Sequence, residues 1–338
     1  MRLLVYILKR LLLVIPTLIG VTFVCFALVR VLPGNPVYFI VGPYATEEEI
    51  AKVKTELGFD RPIYEQYVIY LDGLVNGDLG YAWHTSQPVI EDIKQRLPLT
   101  IELATISLII TLIVAVPLGV ISAVRRGSWI DNIARVVAVV GVSMPMFWSG
   151  LLLIYIFFYK LRWAPPPMGA LDLLIEAPPR VTGMILADSL IASNWEALGS
   201  AISHLLLPAI TLALPMIGSI TRMTRSSMAE VLHSDYVRTA TAFGLPRTTV
   251  IYRDALQNAL LPVVTMIGVL YGFALGGAVL VEMIFGLTGM GSYSFGSIMN
   301  LDYAGVQGVV LLVAIIFVII NLLVDITYAM IDPRISYG

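Results

Sequence analysis

SSMAEVLHSDYVRTATAFGLPRTTVIYRDALQNALLP, residues 226–262, is the longest polar, helix-patterned stretch in an otherwise very apolar chain. Ser234 stands where an N-cap is needed, and Asp235 puts a negative charge in the first turn, where the helix dipole favours it. Gly244 suits a C′ position that requires positive φ, and Pro246 blocks continuation. These signals predict one short helix over 235–243, about 13 Å long at 1.5 Å per residue. A second helix is expected to lead through Asp254 and Asn258 into the next apolar run.

The surroundings explain why this polarity matters. The chain has 338 residues, 58% of them hydrophobic and 13% charged, with mean hydropathy +0.87. A soluble domain carries about 25% charged residues. Several apolar runs reach the roughly 20 residues that a helix needs to cross a bilayer. They are continuous rather than alternating, which points away from a β-barrel. The expected fold class is therefore an all-α polytopic membrane protein embedded in a lipid bilayer.

The chemistry the sequence lacks is informative. Cys25 is the one cysteine, so neither an internal disulfide nor a thiolate metal site can form within the chain. His84, His204 and His233 are scattered without metal-ligand spacing, and no metal site is expected. There is no G-x-x-x-x-G-K-[ST] phosphate loop, no H-E-x-x-H and no evident nucleophile–base constellation. No catalytic residues, resident cofactor or nucleic-acid partner is expected, and any ATP chemistry must come from another chain.

Outward from the opening stretch, hydropathy predicts six spans. Residues 1–32 read as an N-terminal transmembrane helix: Arg2, Lys9 and Arg10 precede an apolar run that is too long for a signal peptide and lacks a cleavage pattern. Residues 33–98 read as an extracytoplasmic segment with ten acidic and five basic residues. Within it Thr46-Glu47-Glu48-Glu49 is a capping box, predicting a helix to about Leu57 with Gly58 as its stop. The three glutamates read better as a solvated first turn than as a cation site. A second helix is expected from Asp60-Arg61-Pro62 to Asn76-Gly77, with Ile63, Tyr67, Tyr70 and Leu74 on one face.

Residues 99–331 read as the core transmembrane domain, with spans at about 99–124, 133–159, 204–220, 261–283 and 307–330. Pro117 and Pro145 should kink their helices. An irregular extracytoplasmic loop is expected at 160–203, a cytoplasmic loop at 222–258, a glycine-rich outer turn at 284–306 and a cytoplasmic tail at 332–338. Gly268, Gly272 and Gly276 recur at four-residue steps, a small-residue face for close helix packing. Gly289 and Gly291 could hinge an outer gate, although a plain turn is the simpler reading. Glu282 and Asp325 lie near span ends, which favours a structural over a functional role.

Charge orients the whole. Twelve of 21 Lys/Arg fall in the segments that six spans with a cytoplasmic N-terminus place inside, against six of 23 acidic residues. The opening stretch then lies in the cytoplasm. Pattern alone leaves two readings of its short helix open: docking in a partner's groove, or resting as an amphipathic helix on lipid.

The segment DYVRTATAFGLPRTTVIYRDALQNALLPVV resembles the cytoplasmic loop of binding-protein-dependent ABC transporter permeases of the dipeptide/oligopeptide/nickel family. Ala240 and Gly244 match the Ala and Gly of that family's EAA loop, and Leu261-Pro262 its closing Leu-Pro. Arg238-Thr239 stand where Glu-Ala would be, and the Gly-to-Pro interval is longer; both departures are features of the peptide branch. RLPLTIELA, PLGVISAVRRGSWID, LLPAITLALP, RMTRSSMAEVL and LLVDITYAMIDPR are further similar blocks, so the resemblance covers nearly the whole chain. APPRVTGMILADSL is most similar to the longer dipeptide permeases of the family.

The resemblance implies a type I importer permease fold of six transmembrane helices in a cell inner membrane. It also implies a second homologous permease subunit, two cytoplasmic ATPases that bind ATP and Mg, and an extracytoplasmic solute-binding protein. The helix at 235–243 would be the coupling helix, with Asp235, Tyr236, Arg238, Thr239, Ala240 and Gly244 as its ATPase-coupling residues. Arg238 could pair with a partner carboxylate or, equally, with Asp235 at i, i+3. The solute stays open among dipeptides, longer peptides, glutathione, haem, nickel chelates and oligosaccharides. A self-sufficient secondary transporter or channel is the alternative; it would want ionisable groups at mid-membrane and would not need the 226–262 loop.

Overall fold

The computed structural model describes residues 2–31, 45–56, 58 and 60–331. Residues 33–44 of the expected extracytoplasmic segment, the expected helix end at Leu57 and the tail at 332–338 lie outside the described residues. Most of the described chain is helical. The elements are α1 (Arg2–Val31), α2 (Glu47–Glu56), α3 (Ile63–Val75), a hairpin of β1 (Tyr81–Ala82) and β2 (Gln87–Pro88), and α4 (Val89–Val124). They continue with α5 (Trp129–Ser143), α6 (Met146–Leu153, extended by π-helical turns at Ile154–Lys160), α7 (Ile185–Ile191) and α8 (Trp195–Val231). Last come α9 (Asp235–Ala242), α10 (Arg247–Ile284, π-helical at Val250–Ala255), α11 (Met290–Met299) and α12 (Tyr303–Ile331).

Among the described residues, four helices are long and apolar enough to cross a bilayer, or five if the bent pair α5–α6 forms one span. The apolar part of α1 described in full runs over Leu12–Ala27. Helix and span do not coincide. α4 is about 54 Å long at 1.5 Å per residue, well beyond a hydrocarbon core of about 30 Å. It starts at Val89, ten residues before the expected span, so its first turns lie within the stretch expected as the extracytoplasmic segment. α8 likewise runs past the expected 204–220 span in both directions, so helix occupies parts of the stretches expected as the 160–203 and 222–258 loops. Hydropathy marks where a helix can meet lipid; backbone hydrogen bonding carries it further.

The prolines divide by context. Pro117, Pro208, Pro215 and Pro262 sit inside continuous helices. Pro145 does more than kink: α5 and α6 meet at 106°. Met144, directly before it, is extended (φ −76°, ψ 125°), the conformation that a following proline enforces.

Leu99 and Leu103 of α4, Leu205, Leu212 and Met216 of α8, and Leu275 and Val281 of α10 form the main core. α1 lies beside α12, with the Gln307 amide donating to the Cys25 carbonyl at 3.5 Å. The expected α2 and α3 are present: the Thr46 amide donates to Glu49 at 2.9 Å and the Glu49 amide to Thr46 Oγ1 at 3.3 Å. Gly58 is left-handed at φ +68°. Tyr67 of the expected face meets Thr22 at 3.0 Å, although Ile63 of that face is exposed. The expected glycine-rich turn at 284–306 instead contains the ten-residue helix α11.

Candidate functional site

The loop between α8 and α10 is short, and one helix fills it. α9 covers Asp235–Ala242, within a residue of its expected end. Its C-terminus is built as the sequence implies. Gly244 has φ +77°, its amide donates to the Thr241 carbonyl at 3.0 Å, and the Leu245 amide donates to the Ala240 carbonyl at 3.2 Å. That paired closure satisfies two orphan carbonyls and needs a residue free to adopt left-handed φ. The N-terminus differs from expectation. Ser234 occupies the N-cap position, but its hydroxyl donates back to the Val231 carbonyl at 2.6 Å rather than accepting from the first turn of α9.

α9 is held by two of its residues. Val237, its one buried side chain, enters a cluster of Val120 and Ala123 from α4, Met228 from α8, and Val250, Ile251, Ala255 and Ala259 from α10. The Tyr236 hydroxyl donates to the Asp254 carbonyl at 3.4 Å and accepts from the Asn258 amide at 3.0 Å. Ala240 is half-buried against the same cluster. The remaining expected residues face outward. Asp235 and Arg238 stand 3.9 Å apart with side chains 100% and 72% exposed, so the i, i+3 pair is screened and weak. Thr239 is exposed, its hydroxyl donating to the Asp235 carbonyl at 2.9 Å.

Two residues were missed by sequence reasoning. Val237 makes the seat; as the one branched aliphatic residue in a polar helix it carried a faint signal. Phe243 is 83% exposed at the tip, with Leu245 beside it at 45%. A large apolar residue directly before the glycine that ends a polar helix was the signal in the sequence. α9 therefore presents a short rigid face, polar along its side and apolar at its tip, on a dry seat shared by three spanning helices.

The other expected residues lie elsewhere on the same helices. At the far end of α4 and α10, Glu282 is fully buried. It accepts from Thr100 Oγ1 at 2.6 Å and from the Ser292 amide at 2.9 Å, and the Met290 amide donates to Thr100 Oγ1 at 2.8 Å. A Cβ on Gly289 would stand 2.3 Å from the Glu282 carboxylate, and one on Gly291 2.4 Å from the Val279 backbone. Neither has positive φ. They are close-packing positions that let α11 set its N-terminus on a carboxylate. Gly268 and Gly272 face α12, where a Cβ would stand 2.4 Å from Val324 and 2.6 Å from Phe317. Gly276 has no atom within 4 Å of a Cβ. It lines an apolar cavity of about 570 Å³ together with Met146, Pro215, Phe273 and Phe317, where Ser219 is the one hydroxyl.

The chain resembles known proteins over nearly its whole length. Residues 115–337 match the family described as binding-protein-dependent transport system inner membrane component, and residues 3–104 match the N-terminal region of such components. The chain is 43% identical over 336 residues to the dipeptide transport system permease protein DppB of Alkalihalophilus pseudofirmus, covering 99% of this chain and 100% of that protein. It is 40% identical over 319 residues to the probable D,D-dipeptide transport system permease protein DdpB of Escherichia coli K12, covering 94% of each. It is 37% identical over 332 residues to the glutathione transport system permease protein GsiC of E. coli O6:H1, covering 98% and 99%.

Proposed function

The chain belongs to the family of binding-protein-dependent transport system inner membrane components, and from that premise we propose how it works. It is a multi-pass inner-membrane permease subunit of an ABC importer. Its solute is a dipeptide or a closely related short peptide, a reading supported by the names of relatives aligned end to end with it.

Six spans, counting α1 and taking α5–α6 as one, put both termini and α9 in the cytoplasm. α9 is the coupling helix. It sits in a groove of a cytoplasmic ATPase through Asp235, Tyr236, Arg238, Thr239, Ala240 and Gly244, with Phe243 at its tip. Two ATPase subunits bind ATP and Mg and do the hydrolysis. A second, homologous permease supplies the other half of the translocation path, with Gly276 and Phe273 on this chain's share of its wall. A solute-binding protein delivers the peptide on the far side. Closure of the ATPases pushes α9, and the spans rock between inward- and outward-open states as rigid bodies.

The observation that carries this reading is the form of α9: a seat made by Val237, Ala240 and Tyr236, a fixed glycine turn, and Asp235, Arg238, Thr239 and Phe243 turned outward. Gly244→Val tests it. A β-branched residue at φ +77° carries roughly 1–3 kcal/mol of backbone strain. In the reconstituted importer, peptide uptake should collapse and ATP hydrolysis should no longer respond to the loaded binding protein, while solute capture by the binding protein stays intact. Undiminished uptake would remove α9 from the coupling role.

A further inference from the structure

The ends of α4, α5 and α8 nearest α9 meet at one buried carboxylate. Asp131, in the first turn of α5, is 1% exposed. Arg225 of α8 grips it with two prongs: Nε donates to Oδ1 at 2.7 Å and Nη2 to Oδ2 at 3.1 Å. Ser122 of α4 donates to the same Oδ1, and its oxygen accepts from Arg225 Nε at 3.1 Å. The Gly127 amide, in the turn between α4 and α5, donates to Oδ2 at 3.0 Å, and the Arg135 guanidinium lies 3.7 Å from that oxygen. Each carboxylate oxygen accepts from two donors, and the donors come from α4, the turn after it and α8.

This cluster backs the seat of α9. Ser122 precedes Ala123, and Arg225 lies three residues before Met228; Ala123 and Met228 are walls of the pocket that holds Val237. The apolar seat resists pulling α9 away, but apolar contact is non-directional and lets helices roll or slide. A two-pronged guanidinium–carboxylate bond fixes orientation as well as distance.

We propose that Asp131 and Arg225 are positioning residues that lock the inner ends of α4, α5 and α8 into one lever, so that a push on α9 turns the spans instead of sliding one past another. The proposal rests on α9 being the coupling helix. Without the lock, ATPase closure would be absorbed locally as helix slip, and ATP would be spent with little transport.

The test uses the complete importer in proteoliposomes, with a radiolabelled dipeptide, and reads peptide moved per ATP hydrolysed. Arg225→Met should lower that ratio about tenfold, a coupling change of the size that intermediary residues produce. Arg225→Lys, which keeps the charge but not the fork, should recover only part of it. Ser122→Ala should lower it about twofold, and it carries the test with Arg225→Lys should Arg225→Met fail to assemble. A staple with a merely structural role would lower uptake and ATPase together in proportion to assembled complex. That result, or a ratio equal to the parent's, overturns the lock. Gly244→Val measured alongside separates the two claims. If it uncouples while the Arg225 and Ser122 variants do not, the lock fails and the coupling helix stands; if it too leaves the ratio untouched, the coupling reading itself fails.

Discussion

Short helices are fastened at both ends of α4, by opposite means. At one end, α7 and α11 are each tied down by a carboxylate from a spanning helix. Glu102 of α4 accepts from the Ile185 and Leu186 amides at 2.9 and 2.8 Å, and Glu282 of α10 accepts from the first turn of α11. Asp188 ties the loop before α7 by accepting from the Thr182 amide and hydroxyl, both at 2.7 Å, and from the Gly183 amide at 2.9 Å. At the other end, α9 is held by one valine, one tyrosine and a glycine turn, with its charged residues in solvent. Hydrogen bonds to a buried carboxylate are costly to break and strongly directional. A single apolar plug is cheap to strengthen from outside. The first end is built to keep its shape; the second, on the proposed reading, is completed by a partner.

Substitutions can break that contrast. The largest effect is expected at Glu282→Ala, which leaves the Ser292 amide and the Thr100 hydroxyl buried without an acceptor. It should cost about 3 kcal/mol, read as a lower melting temperature of the purified complex, with peptide moved per ATP preserved in whatever assembles. A lower ratio with a normal melt would blur the distinction between the ends.

Asp188→Asn should come next, at about 2 kcal/mol, and it carries a pH signature. Burial pushes the Asp188 carboxyl up, but the hydrogen bonds from Thr182, Gly183 and Val181 more than offset this and hold it below the usual range. A group whose folded value is depressed stabilises the fold above its unfolded value and loses that contribution as pH falls through the folded one. The gap between parent and Asp188→Asn melts should thus be full above about pH 4 and close only in stronger acid. A gap that changes between pH 5 and 8 would point to another group.

Val237→Ala should be the mildest in stability, at about 1 kcal/mol, yet it should reduce peptide moved per ATP severalfold. This reverses the pattern at Glu282. If Val237→Ala lowered the melt strongly and spared the ratio, α9 would be an ordinary structural helix.

What could be read from the sequence was local. The Thr46–Glu49 capping box and the Gly244 turn depend on residues three to six apart, so their spacing shows them directly. The ends of α4 and α8 were hidden because hydropathy registers lipid contact, and both helices continue past it. Ser234 illustrates a limit even in local reading: a hydroxyl has more than one backbone partner within reach, and here it turned towards Val231. α11 was unreadable because its glycines argue for a turn; its support comes from Glu282 on another helix. The Asp131–Arg225 pair joins residues 94 apart and left no periodic trace, although Ser128-x-x-Asp131 has the spacing of a capping box. Of the expected coupling residues, Asp235, Tyr236, Arg238, Thr239, Ala240 and Gly244 all fall on α9 or its cap. Gly289 and Gly291 fall at the tied-down end, packed against Glu282 and Val279.

The most direct measurement asks what touches the tip of α9. Cys25 is the chain's one cysteine and is buried at 3% exposure, whereas Phe243 is 83% exposed. Phe243→Cys therefore offers a single reactive position on the loop. In the assembled importer, a benzophenone maleimide attached at this position should cross-link to an ATPase subunit on illumination, and the yield should change when ATP closes the ATPase dimer. Labelling by a membrane-embedded maleimide, with no cross-link to the ATPase in either state, would place α9 on lipid and contradict the account.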